Sequence, residues 1–135
     1  MSSSATRAGK ARVKQPLTVY GALGADTFFR LIDAFYDGVA SDPLLRPMYP
    51  SDLTDSRRHL ALFLIQFYGG PTTYSDERGH PRLRARHVTF AIDQAARDAW
   101  LGHMRVAIDT LGLPPTARTE LMRYFEGAAD FLINR

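Results

Sequence analysis

Apolar residues along this chain recur at three- and four-residue spacing, the period of a helix with one face turned inward. Phe28, Ile32, Phe35, Tyr36 and Val39 fall on one such face, and Asp26 suits the N-cap of a helix running through Val39. Asp42-Pro43 reads as a cap followed by a first-turn proline, opening a short helix that ends near Tyr49-Pro50. The next helix starts at Thr54 or Asp55 and runs to about Tyr68. Its apolar stripe is Leu60, Phe63, Leu64 and Phe67, and Gly69-Gly70-Pro71 stops it. Residues 71–92 hold no sustained period beyond a short helix expected around Leu83 to His87. Asp93 caps a helix in which Trp100, Met104, Ala107, Ile108 and Leu111 share a broad face, ended by Gly112 and Pro114-Pro115. Thr116 begins the last helix, with Leu121, Tyr124, Phe125, Ala128 and Leu132 available for burial. Strand-like alternation is nowhere sustained and no internal repeat is visible, so the fold class is all-α.

Composition narrows this picture more than it redirects it. A chain of 135 residues with 45% hydrophobic content suits one domain around one core. Two parts are expected: a basic extension, residues 1–17, and a folded domain, residues 18–135. No apolar run is long enough to span a bilayer, and the Ser-rich opening lacks the apolar core of a secretory signal. Zero cysteines remove disulfides, thiolate zinc sites and cysteine nucleophiles, and make the cytoplasm the default compartment. The net charge of +3 comes from the extension. Without Arg7, Lys10, Arg12 and Lys14, 13 of the 17 basic residues stand against 14 acidic ones. A balanced body without a recognition motif argues against nucleic acid as partner, and the scattered histidines and acids lack the spacing of a hydrolytic metal site.

His87 closes a basic, weakly helical segment, RLRAR. Its imidazole suits either a structural surface histidine or a metal ligand, and pattern alone leaves both open. The aromatic residues Tyr36, Tyr49 and Trp100 read equally as core.

Four stretches change that balance. They are DTFFRLIDAFY (26–36), DPLLRPMYP (42–50), FYGGPTTYSDERGHPRLRARH (67–87) and AWLGHM (99–104). In this order and spacing they resemble the truncated haemoglobins, particularly group II, over about residues 18 to 133. The resemblance implies a two-over-two helical sandwich around haem b, with His87 as the proximal iron ligand. Tyr36, Tyr49 and Trp100 then correspond to residues facing the bound gas, since phenolic hydroxyls and an indole N–H can donate hydrogen bonds to a polarised ligand. Ser56 matches a small distal residue, Leu60 an apolar position one turn on, and Phe63 and Leu64 continue that face. Phe90 walls the proximal side, Met104 joins the pocket from the Trp100 helix, and Arg84 and Arg86 are candidates for the haem propionates. His59 sits where a second axial ligand or a solvent-edge residue would fit, His80 supports the proximal loop, and His103 has no functional case.

The implied function is reversible binding of dioxygen at a five-coordinate iron, with carbon monoxide and nitric oxide as further ligands. The alternative is nitric-oxide dioxygenation or weak peroxidase activity, which would need a separate reductase because no flavin or nicotinamide motif is present. Either a monomer or a homo-oligomer is compatible. Two departures stand out: Gly24-Ala25 where two glycines are common, and Phe67-Tyr68 where the pair commonly ends in tryptophan. The hydroxyl of Tyr68 therefore needs a partner.

Overall fold

A computed structural model describes residues 18–82, 87 and 90–135. The described residues form six α-helices: α1 (Val19–Leu23), α2 (Ala25–Ala40), α3 (Thr54–Phe67), α4 (Thr73–Arg78), α5 (Gln94–Thr110) and α6 (Pro115–Leu132). A single 3-10 turn, Arg46–Met48, lies between α2 and α3, and no strand occurs among the described residues. Helix α2 packs on α3, α5 packs on α6, and α2 crosses α5, which gives the two-over-two sandwich. The extension 1–17, Leu83 to Arg86, and Val88 and Thr89 lie outside the described residues.

The helical period translates directly into the core. Phe28, Leu31, Ile32, Phe35 and Val39 of α2 are at most 1% exposed, against Leu64 of α3, Met104 and Ile108 of α5, and Leu121 and Phe125 of α6. Each fully buried side chain of this size contributes about 1.5–3 kcal/mol of transfer free energy. On α6 the inward face is Leu121, Met122, Phe125 and Ala129, so Ala128 and Leu132 are only half-buried.

Helix starts depart from the sequence expectation in three places. Asp26 lies inside the first turn of α2 and Gly24 occupies the N-cap, because its positive φ of 83° turns the chain from α1 into α2. The carboxylate of Asp26 then sits where the helix dipole favours it. Helix α3 has Leu53 at its N-cap, and the side chain that satisfies a free N–H is Asp52, whose Oδ1 accepts from Thr54 at 2.9 Å. Helix α6 begins at Pro115 rather than Thr116. Asp93 caps α5 as its position suggests, its Oδ1 accepting from Ala96 at 2.9 Å. The short helix expected after Asp42-Pro43 is reduced to the 3-10 turn Arg46–Met48 with Leu45 at its N-cap, and Asp42 Oδ1 instead accepts from Leu44 at 2.8 Å in the turn before it.

Two helices were not expected. Helix α1 is capped by Thr18, whose Oγ1 accepts from Gly21 at 2.8 Å, and is fastened to the end of α3 by the Tyr20 N–H donating to the Tyr68 carbonyl at 3.0 Å. Helix α4 is held to α3 by side chains: Gln66 Nε2 donates to Ser75 Oγ at 2.7 Å, while the Ser75 N–H donates to Gln66 Oε1 at 2.9 Å. Arg58 pairs with Glu77 across the same junction.

Candidate functional site

The helices enclose a cavity of about 380 Å³. Its lining brings together His87 and Phe90 from the segment before α5, Tyr36 from α2, Tyr49 from the turn after α2, and Trp100 from α5. Ser56, Leu60 and Phe63 line it from α3. Leu64 and Met104 are fully buried but stand behind the wall, outside the lining. Arg84 and Arg86 lie outside the described residues.

The polar aromatics sit in a network of edge-on ring contacts. Tyr36 is 4% exposed and meets Phe35 and Tyr49 edge-on, at centroid separations of 5.0 and 5.4 Å. Trp100 packs edge-on against Phe35 at 5.3 Å and Phe125 at 5.7 Å. Such geometry suits the ring quadrupoles. The turn that presents Tyr49 is braced by Arg46, whose guanidinium donates to the carbonyls of Tyr49 (3.3 Å), Pro50 (2.8 Å) and Ser51 (2.8 Å). Arg57 of α3 bonds Asp33 and Asp37 of α2 and places its guanidinium 5.8 Å from the Tyr36 ring centroid.

Burial makes both phenols hard to ionise. Desolvation pushes the Tyr49 hydroxyl up to about 12, opposed by hydrogen bonding with Trp100. The Tyr36 hydroxyl is raised further, chiefly by burial, then by neighbouring Tyr49, with Arg57 acting the other way. Both therefore keep their protons and remain donors at ordinary pH. Three donors and an imidazole inside largely apolar walls form a site where a hydrogen bond counts for more than in water.

Several lining residues were invisible to periodicity. Tyr74 and Arg78 of α4, Ile92, and Ala129 of α6 are among them. Leu132, which also lines the cavity, had a signal as a position of the amphipathic last helix. His59 also lines the cavity, and Arg78 Nη1 donates to its Nδ1 at 2.7 Å. Burial first, then Arg78, lowers the pKa of that imidazole, so its neutral form is favoured. His80 stays outside the lining, where its Nδ1 accepts from the Arg82 N–H at 3.1 Å. His103 bonds Asp42 instead, Nε2 to Oδ2 at 2.7 Å. Among the described residues no group of three or more His, Asp or Glu is arranged to hold a metal ion. The donor set suits a flat, largely apolar prosthetic group carrying its own iron and asking the chain for one imidazole. Cations on the lining, Arg78 and Arg97, suit a group with carboxylates, although Arg97 is already paired with Asp98 and Asp130.

Comparison with known proteins agrees with the helical fold. Residues 18–134 match the bacterial-like globin family. The group 2 truncated haemoglobin YjbI of Bacillus subtilis is 45% identical over 116 residues, covering 86% of this chain and 88% of that protein. A haemoglobin from Chloroflexus aurantiacus superposes with a TM-score of 0.86 at 48% identity, covering 90% of this chain and all of the other. A truncated haemoglobin from Bacillus subtilis, described as oxygen-avid, superposes with a TM-score of 0.83 at 44% identity, covering 87% of this chain and 99% of the other. The chain belongs to the truncated haemoglobin family, group II, and so to the haem-binding globins.

Proposed function

We propose that the cavity holds haem b with His87 as the proximal ligand of a five-coordinate iron, and that the protein binds dioxygen reversibly against Tyr36, Tyr49 and Trp100. The observation that carries this reading is the sharing of one cavity by His87 and the three polar aromatics. When bound, the haem supplies the iron at which a diatomic gas is held. The chain supplies everything else. His87 offers an imidazole nitrogen from a wall that also holds Phe90. Tyr36, Tyr49 and Trp100 offer protonated donors, and Leu60, Phe63 and Leu45 keep water out. Arg84 and Arg86 are proposed as partners of the propionates on the strength of the family motif, with Arg78 and Arg97 the described cations on the same lining. Carbon monoxide and nitric oxide would enter the same site.

Support from relatives points the same way, since one similar structure is of an oxygen-avid protein. Several donors around one gas slow its release, which favours redox chemistry or sensing over bulk delivery. A nitric-oxide dioxygenase or peroxidase role would draw on a separate reductase.

The test is the rate of dioxygen release from the reduced, haem-loaded protein. Tyr36→Phe is expected to speed release about tenfold, the worth of one buried hydrogen bond near 1.4 kcal/mol. An unchanged rate would remove Tyr36 from the role. His87→Ala is expected to abolish the histidine-ligated ferrous spectrum, and its survival would overturn the proximal assignment.

A further inference from the structure

Beyond the end of α6 the chain returns to the segment that carries His87. The backbone N–H of Asn134 donates to the Ile92 carbonyl at 2.8 Å, and the Ile92 N–H donates back to Asn134 Oδ1 at 2.9 Å. The same side chain reaches further along the segment: Nδ2 donates to the Phe90 carbonyl at 2.9 Å and to the His87 carbonyl at 3.4 Å. The His87 carbonyl also accepts from the Phe90 N–H at 3.0 Å, so it is shared between that N–H and the Asn134 side chain. One carboxamide thus ties three backbone groups spread over six positions, from 42 to 47 residues away in sequence. Ile92, Phe90 and His87 all line the cavity, so the groups it ties carry part of the cavity wall.

The chemistry is specific to this side chain. An amide presents an acceptor and two donors from one short stem, and the segment offers it one N–H and two carbonyls. A carboxylate would keep the acceptor but set negative charge against two carbonyl oxygens. An isobutyl group of the same size would keep neither. The backbone of His87 determines where its ring points, and a ligand nitrogen held slightly off its line is a known way of tuning a metal site from outside.

We propose that Asn134 is a positioning residue for the proximal ligand, holding the backbone of His87, Phe90 and Ile92 so that the imidazole meets the haem iron at a fixed orientation. This rests on the reading of His87 as the ligand. Asn134 touches no reacting atom.

The test uses the full haem-loaded chain and reads the iron–histidine stretching band of the reduced protein by resonance Raman, together with the rate of haem loss. Asn134→Leu and Asn134→Asp are both expected to shift or broaden the band, and to speed haem loss about five- to tenfold through the lost hydrogen bonds. Arg135→Ala is the control: its backbone N–H contact with the Ile92 carbonyl (3.2 Å) survives, and the change removes only the guanidinium's bond to the Asn134 carbonyl (3.3 Å), leaving the Asn134 carboxamide and its three contacts in place. A role confined to stability would lower the melting temperature of the variants and leave the band in place, which would overturn the proposal. An unmoved band with unchanged haem loss would do the same. If the wild-type band survives His87→Ala, the ligand assignment itself fails and this inference falls with it.

Discussion

Asp42 joins two parts of the molecule that are distant in sequence. Its Oδ1 accepts from the N–H groups of Leu44 and Leu45, and its Oδ2 meets His103 Nε2 on α5. The His103 hydrogen bond is the main reason its carboxyl titrates below the usual range. A carboxyl whose pKa falls on folding contributes stability that is present above its unfolded value, near 3.9, and is lost as pH drops through the folded value. Asp42→Asn should therefore cost about 1 kcal/mol at neutral pH. Melting curves taken down to about pH 3 should show the gap closing as the wild-type carboxyl protonates. The phenols behave in the opposite sense. With Tyr49 pushed up to about 12 and Tyr36 raised further, both donors stay protonated, so dioxygen release should be flat from about pH 6 to about pH 10. A step in that range, followed by stopped-flow mixing, would show that some other group controls the site. Tyr68 has a buried hydroxyl with no hydrogen-bond partner among the described residues. No described residue supplies the partner that its hydroxyl needs, and Tyr68→Phe should leave stability unchanged or raise it by about 1 kcal/mol in urea unfolding.

Among the elements, α4 shows most clearly where sequence reading stops. Its six residues, TYSDER, include one buried side chain, Tyr74, and present no apolar period. What places it is the paired hydrogen bonding of Gln66 with Ser75 and the Arg58–Glu77 ion pair, contacts made only once α3 exists. Replacing Gln66 with Leu leaves the Ser75 N–H without its partner and should loosen α4 by about 1–2 kcal/mol. Faster amide exchange confined to residues 73–78 would register it. Helix α1 was hidden for the same reason, since its five residues bury no side chain fully and it is fastened through Tyr20 to the Tyr68 carbonyl. The four long helices were legible because each repeats its apolar positions over 14 residues or more. Tyr36, Tyr49, Trp100 and His87 could be singled out only by the order of family motifs, because their side chains look like ordinary core or surface. Arg78 and Asn134 had no signal at all. Their partners lie 19 and up to 47 positions away, and only the folded chain brings them together.

For the molecule as a whole, the cavity is a gap in the packing that the family's prosthetic group is expected to fill. A ligand that binds the folded state alone stabilises it by mass action, about 4 kcal/mol when present at 1,000 times its dissociation constant. Extracting the haem should lower the melting temperature, and restoring it should recover the value. A melting temperature indifferent to haem would detach the cavity from the group. The same cavity carries an optical consequence. Trp100 is the chain's one tryptophan, and it lies on the cavity wall. Haem absorbs where an excited indole emits, so a haem seated there drains the excitation by energy transfer over a few ångströms. The loaded protein should be dark under ultraviolet excitation and the haem-free protein bright. The chain therefore carries its own loading gauge, and a fluorimeter can follow the occupation of the cavity without any label.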